Sequence, residues 1–302
     1  VTVLDRRTPD VHVREVGPRD GLQAEAPVAA ADRVTLIEAL LDAGVTNVEA
    51  VSFVSPRAVP AMAGAADVMA ALPRRPGVTY TALVPNLKGA ELAVDAGVDA
   101  LTVTVSASAA YNEKNVHMSI DESVEVVATI AGLVAARVPV DAVVSCAFGS
   151  PYEGDLAPDE VHALGRRLLA AGATSLTYAD TTGMGTPRRV DALLDVTGVD
   201  VGLHLHETRG TALVNAYAAL ERGVRRFDTS VGGLGGSPFA AGAAGNLATE
   251  DLVHLLDDLG LSSGIDLDRL LGVSAQVAAL VGHPVPSRIA AAGPRSRLSA
   301  SA

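Results

Sequence analysis

The sequence predicts a single-domain α/β protein of the closed (β/α)8 TIM-barrel class, with an extra C-terminal helical segment. Three observations point there. Short, β-branched apolar runs alternate with Ala/Leu-rich amphipathic stretches along the chain. Those runs are near-continuously hydrophobic, as strands of a parallel sheet covered by helices must be. Eight such units fall within about 250 residues, the count of a closed barrel. An open doubly wound sheet is the structural alternative.

In order, strands are expected at 12–17 (HVREVG), 46–53 (TNVEAVSF), 78–85 (VTYTALVP), 100–106 (ALTVTVS), 138–148 (VPVDAVVSCAF), 174–180 (TSLTYAD), 200–207 (DVGLHLHE) and 225–231 (RRFDTSV). Amphipathic periodicity places helices at 31–43, 60–72, 88–96, 121–136, 158–171, 187–196, 210–222 and 249–259. Several stop at glycine, as in Ala43-Gly44, Ala96-Gly97, Ala171-Gly172 and Arg222-Gly223. That is the left-handed stop expected of a helix C-terminus. A ninth helix is expected over 267–281. The barrel domain then spans 1–285, and 286–302 is expected to be a polar, disordered tail with little to bury.

Composition narrows the function. Of 302 residues 49% are hydrophobic, enough for a large core, and the net charge is −12. That charge disfavours nucleic acid and membrane surfaces, both anionic, as partners. It leaves room for an anionic small ligand held by a few local cations. One cysteine, Cys146, precludes an intramolecular disulfide and fits a reducing compartment. With no signal-like N-terminal segment and no apolar run of membrane length, a cytoplasmic location is expected.

The stretch 200–207 sets His204 and His206 two residues apart. In a strand they share one face, roughly 7 Å apart. Two buried imidazoles that close are expensive unless something binds them, and a divalent metal is the commonest solution; the alternative is two unrelated histidines. In a barrel the site forms where strands end C-terminally, and the polar residues gather there. Arg19 and Asp20 follow strand one, Glu49 and Ser52 sit on strand two, and Asp180 ends strand six. Strand eight runs into Gly232–Gly236, Ser237 and then Asn246. Asp20, His204, His206 and Asn246 make a mixed nitrogen and oxygen set without sulfur. Such a set favours Mg²⁺ or Mn²⁺, with Co²⁺ or Zn²⁺ as further options. Glu49 and Asp180 would orient Arg19 or an imidazole, or else form interior salt bridges. The glycines 232–236 lack the lysine of a Walker loop. They serve either a loop that folds over a ligand or a tight turn.

In sequence order, the motifs are VGPRDGLQ (16–23), SFVSP (52–56), VPNLKG (84–89), EKNVHMSIDES (113–123), VSCAFGSPYEG (144–154), ADTTGMGTP (179–187), HLHET (204–208) and VGGLGGSPFAAGAAGNLATEDLV (231–253). With them the chain, from about residue 12 to 280, resembles the hydroxymethylglutaryl-CoA lyases. The resemblance implies metal ligands at Asp20, His204, His206 and Asn246. It implies that Arg19 stabilises an enolate oxygen and that Glu49 and Asp180 support the site. The implied proton acceptor is His204 or a nearby carboxylate. The implied reaction cleaves 3-hydroxy-3-methylglutaryl-CoA to acetyl-CoA and acetoacetate, chemistry of acyl-CoA metabolism and leucine degradation. Substrate and CoA contacts are expected from Gln23, Ser52, Lys88, Lys114, Gly233, Gly235 and Gly236, although either lysine reads equally as a solvated surface residue. A homo-oligomer is expected.

The chain departs from the resemblance in one chemically important place. The family's loop reads GGLGGCP, whereas Ser237 stands at the cysteine here. A thiol has a reference pKa near 8.5 and a hydroxyl is a far weaker acid. Ser150 replaces a second usual cysteine, and Ala26 follows Glu25 where the family often has a basic residue. Three readings follow: a slower lyase, a lyase for a related 3-hydroxyacyl-CoA, or a paralogue with changed chemistry. The runners-up are an aldolase or condensing enzyme on a 2-oxo acid, and a non-catalytic CoA-binding barrel.

Overall fold

Eight strands lie side by side in sequence order, every neighbouring pair is parallel, and the last pairs back to the first. The structure, a computed structural model, describes residues 9–135, 137–236 and 245–296. The strands are β1 (His12–Glu15), β2 (Asn47–Ser52), β3 (Thr79–Leu83), β4 (Ala100–Ser106), β5 (Val140–Ser145), β6 (Ser175–Ala179), β7 (Gly202–His204) and β8 (Arg226–Thr229). The helices are α1 (Ala30–Asp42), α2 (Ala65–Ala71), α3 (Leu87–Asp95), α4 (Ala109–Val116), α5 (Ile120–Val134), α6 (Pro158–Ala170), α7 (Pro187–Thr197), α8 (Ala212–Arg222), α9 (Thr249–Leu259), α10 (Leu267–Val281) and α11 (Arg288–Ala292). The closed (β/α)8 barrel expected from the sequence is thus the observed fold, and the doubly wound alternative is excluded.

The apolar core is the shell between strands and helices. Ile37, Leu40, Ile130, Leu203 and Leu252 have no solvent exposure, and truncating such a residue to alanine costs about 2–5 kcal/mol. The barrel interior is different, because there side chains from separate strands meet and many are polar. Arg14 of β1 reaches Thr102 of β4, Asp141 of β5 and Asp228 of β8. Strand β2 shifts register between Glu49 and Val51. The pairing of the strand is therefore interrupted right beside the one carboxylate it carries.

Two elements differ from expectation at the N-terminal end of the site. Gly17–Gly21 form one wide turn in which the N–H groups of Arg19, Asp20 and Gly21 all donate to Val16 O, at 3.1, 2.7 and 3.2 Å. Residues 60–62 are a separate short turn, and α2 starts only at Ala65 after Gly64 takes φ +74°.

The C-terminal segment also departs from expectation. Helix α10 occupies the predicted 267–281, but residues 286–296 are placed rather than a free tail. Ser287 caps α11, donates to Asp251 Oδ1 at 2.8 Å, and its N–H reaches Gly232 O at 2.9 Å. Asp251 also accepts from Ile289 N at 2.9 Å. Composition gives no sign of these long-range hydrogen bonds, which is why the stretch reads as tail. Residues 297–302 lie outside the described residues. No described helix is long and apolar enough to cross a membrane.

Candidate metal centre and active site

Strand β7 ends at His204, and the chain then leaves the barrel so that His206 bridges to Asn246, just ahead of α9. This kink brings the two rings together instead of leaving them a strand repeat apart. Their Nε2 atoms lie 3.0 Å from each other. Asp20 Oδ2 is 3.9 Å from His204 Nε2 and accepts from Asn246 Nδ2 at 2.8 Å. One ligand atom each from Asp20, His204 and His206 falls within 4.8 Å of the others, a spacing that can hold a metal ion. Asn246 also donates to Leu234 O at 2.9 Å, which leaves its buried Oδ1 with no hydrogen-bond partner. An orphaned buried acceptor is unfavourable by about 1–3 kcal/mol. Together with two facing imidazole nitrogens and a carboxylate, it fits a bound divalent cation.

The electrostatics agree with that fit. Burial favours a neutral Asp20, but Arg19, the two imidazoles and the Asn246 hydrogen bond outweigh it and hold the carboxyl at about 2. Burial and the neighbouring His204 push His206 down to about 4, so its ring is neutral with a free lone pair near pH 7. His204 differs. Burial opposes its charging, yet the hydrogen bond to Asp228 and the fields of Asp20 and Asp228 raise its pKa above the ordinary imidazole value. Its Nδ1 lies 3.2 Å from Asp228 Oδ2. A carboxylate on the far nitrogen is the usual way a ligating imidazole is oriented.

Arg19 occupies the space between the ligand cluster and β2. Its Nε and Nη2 both reach Glu49 Oε2 at 2.5 Å, and Nη1 reaches Asp20 Oδ1 at 2.5 Å. The guanidinium is thereby held in one plane, and it stays protonated. Burial opposes the charge, and the two carboxylates outweigh burial. Glu49 keeps a second oxygen, Oε1, buried and without a hydrogen-bond partner.

A cavity of about 650 Å³ opens at the C-terminal ends of the strands. Its lining includes Arg19, Asp20, Gln23, Glu49, His204 and His206. Gly236 and Asp228 line it too. Other expected site residues lie elsewhere. Asp180 is not among the lining residues; its Oδ1 accepts from Met184 and Gly185 N–H at 2.7 and 3.0 Å, tying down its own loop. Burial pushes its carboxyl up to about 6. Ser52 donates to Leu83 O and also lies off the cavity.

Lys88 is 73% exposed and paired with Glu91, while the Lys114 ammonium sits over the Tyr152 ring at 4.1 Å. Neither lysine lines the cavity. Both stand on helices that open at the barrel mouth, and their side chains follow local partners. Gly233 and Gly235 do not line the cavity and pack closely on neighbouring groups. A Cβ on Gly235, at φ +111°, would lie 2.4 Å from Asn246 Nδ2, and Gly233 packs on Asn246 and Ala248. Ser237 lies outside the described residues.

Asp228 lines the cavity, and Arg14, Glu15 and Glu250 brace its surroundings; sequence reasoning singled out none of the four. An Asp inside the apolar β8 run is the same kind of signal that singled out Glu49, and it was available. Glu15 Oε1 accepts from Gly17 N and Val231 N at 2.7 and 2.8 Å. It thus ties the Arg19–Asp20 turn to the start of the glycine loop. Glu250 accepts from Gly232 N with both oxygens.

Polar chemistry gathered inside the C-terminal mouth of a closed (β/α)8 barrel marks an enzyme with a candidate metal centre. Comparison with known proteins gives the family. A family model described as HMGL-like matches residues 10–277. The chain is 42% identical over 291 residues to the 3-hydroxy-3-isohexenylglutaryl-CoA/hydroxy-methylglutaryl-CoA lyase of Pseudomonas aeruginosa, covering 93% of this chain and 96% of that one. It is 44% identical over 285 residues to the hydroxymethylglutaryl-CoA lyase of Pseudomonas mevalonii, covering 92% and 95%. A solved HMG-CoA lyase from Acinetobacter baumannii, in complex with coenzyme A and 3-methylmalate, superposes with a TM-score of 0.90 at 39% identity, covering 98% of each chain. The chain belongs to the HMGL-like family and is a hydroxymethylglutaryl-CoA lyase-like enzyme.

Proposed function

We propose that the protein is a divalent-metal-dependent C–C lyase. It cleaves 3-hydroxy-3-methylglutaryl-CoA, or a close 3-hydroxyacyl-CoA, to acetyl-CoA and a 3-oxo acid such as acetoacetate. One observation carries the reading: the Asp20, His204 and His206 cluster lies directly against a guanidinium held between two carboxylates. Relatives named as lyases of such substrates support it.

Asp20, His204, His206 and Asn246 Oδ1 would hold the cation, Mg²⁺ or Mn²⁺ by the oxygen-rich donor set. When bound, it supplies Lewis acidity toward substrate oxygens. The chain's own residues do the rest. Arg19, planar, permanently charged and fixed by two carboxylates, is suited to stabilise the charge that develops on a thioester oxygen as an enolate forms. Glu49 fixes that guanidinium through Oε2, and its free Oε1 is the available acceptor for the substrate hydroxyl proton. His204 does not suit that second task, since Nδ1 faces Asp228 and Nε2 belongs to the ligand cluster. Return of a proton to the enolate carbon falls to the segment after Gly236, where Ser237 stands. Gln23 would contact the acyl-CoA, a reading supported by its place in the cavity lining. The net charge of −12 supports a small-molecule substrate over nucleic acid or a membrane surface.

The test is turnover of 3-hydroxy-3-methylglutaryl-CoA with Mg²⁺ or Mn²⁺, read as acetoacetate formed. Stoichiometric acetoacetate and acetyl-CoA support the reading. Activity confined to a 2-oxo acid would replace it with the aldolase alternative.

A further inference from the structure

Beneath the ligand cluster the barrel holds a second, largely enclosed guanidinium, that of Arg14, which the reaction above does not use. Its Nε and Nη2 donate to the two oxygens of Asp228 at 2.8 and 2.7 Å. Its Nη1 lies 2.9 Å from Asp141 Oδ2 and 3.4 Å from Thr102 Oγ1. Asp141 is fixed in turn, accepting from Ser175 Oγ at 2.6 Å and Thr177 Oγ1 at 2.8 Å. The Asp228 oxygen that Arg14 grips through Nη2 is the one that faces His204 Nδ1. No described hydrogen bond joins Arg14 to Asp20, His204, His206 or Asn246; its hydrogen-bonded link to His204 is through Asp228.

We propose that Arg14 is a positioning residue for the metal centre. Its fork, anchored on Asp141, fixes the Asp228 carboxylate, and Asp228 holds the His204 ring with Nε2 turned toward Asp20 and His206. The inference rests on the metal reading given above. The physical basis is geometric. A lone carboxylate turns about its last torsion, whereas two parallel N–H···O bonds from one guanidinium set its plane. The partner on one imidazole nitrogen then sets which nitrogen carries the proton and where the other points. Register puts these groups together: His204 pairs with Asp228 across β7 and β8, and Asp228 with Arg14 across β8 and β1.

The test uses the full-length chain stripped with chelator, with Mn²⁺ alone as titrant, read by calorimetry. Imidazole ¹⁵N–¹H spectra of the metal-free protein give a second readout. Arg14→Gln is expected to weaken Mn²⁺ binding about 10–100-fold, the range seen when a partner of a ligating side chain is lost. Asp228→Asn should do the same, and the double variant should bind no worse than Asp228→Asn alone. In spectra recorded at a pH high enough to leave the His204 ring neutral, its proton should sit on Nδ1 in the parent and be shared between the two nitrogens in Arg14→Gln. Arg14→Lys, which keeps the charge without the fork, should recover only part of the affinity. Should Arg14→Gln not fold with Asp141 and Asp228 left unpaired, Arg14→Gln with Asp141→Asn removes one charge of each sign and is read identically. Parental affinity and an unchanged tautomer in Arg14→Gln would overturn the proposal, as would losses that multiply in the double variant. If the parent itself takes up no Mn²⁺, the metal reading falls, and the tautomer spectrum alone then decides the role of Arg14.

Discussion

His204 and His206 meet Nε2 to Nε2 at 3.0 Å inside the barrel mouth, with Asp20 Oδ2 3.9 Å from the first of them. Two imidazole lone pairs facing each other repel unless a proton or a cation lies between them. The first prediction follows. His206→Ala should weaken Mn²⁺ binding on the order of 100-fold or more, at least the upper end of what losing an outer partner costs. Calorimetry on the metal-free variant measures it, and parental affinity would show the ligand set to be wrong.

Arg19 is held by Glu49 and Asp20 in one plane. Its proposed work is done only as the enolate forms, so Arg19→Lys should lower kcat roughly 10²–10³-fold with little change in KM. A lysine keeps the charge but not the planar fork. A variant that loses only KM would place Arg19 in substrate binding instead.

Gly235 has φ +111°, and a Cβ there would press on Asn246 Nδ2 at 2.4 Å and on the Asp20 carbonyl at 3.2 Å. Gly235→Ala should therefore disturb two ligands at once and reduce Mn²⁺ affinity at least about 10-fold. Unfolding midpoints measured alongside separate this from global loss of structure. Unchanged affinity would mean the glycine loop and the cluster are not mechanically joined.

Glu15 and Glu250 give a pH prediction. Burial raises both carboxyls from 4.5 to about 7. The folded state therefore holds these protons more tightly than the unfolded chain does. The stabilisation from this is complete below about pH 4.5 and is lost as pH rises through about 7, at most about 3 kcal/mol per group. Thermal midpoints of metal-free protein should fall between pH 5 and 8, and Glu250→Gln should flatten that slope. An equal slope in the variant would contradict the assignment.

Ser237 gives the last. If the residue after Gly236 returns the proton to carbon, Ser237→Cys should raise kcat at least about 10-fold, because a thiol is a much stronger acid than a hydroxyl. Steady-state rates with 3-hydroxy-3-methylglutaryl-CoA decide it. An unchanged rate means the proton comes from elsewhere.

Much of the fold was legible because strand and helix periods differ and each unit repeats. Strand β4 and helices α9 and α10 lie where periodicity puts them. Errors fall where a backbone turns for reasons outside the local pattern. Strand β5 stops at Ser145 because Cys146 takes φ +56° and gives its N–H to Thr181 Oγ1. Strand β7 stops at His204 because the next residues pair with the Asn246 segment. Helix α4 was missed because it is only eight residues long and half of them are polar; its start is set by the Ser108 side chain accepting from Tyr111 N. The candidate cluster was legible since Asp20, His204 and His206 stand at or just beyond strand ends with little else to explain them, and Asn246 follows the glycine run after β8. The Arg14–Asp228 pair was not, because closure puts β1 beside β8 but leaves open the register that sets Arg14 opposite Asp228.

The central claim is that one cluster both binds a cation and runs the cleavage. Chelator-stripped protein, titrated with Mn²⁺ while acetoacetate release from 3-hydroxy-3-methylglutaryl-CoA is followed on the same sample, tests it most directly. Activity should be absent at the start and rise in step with occupancy of one site per chain. Full Mn²⁺ occupancy with no acetoacetate from this thioester or a longer 3-hydroxyacyl-CoA, or undiminished turnover in the stripped protein, would contradict the account.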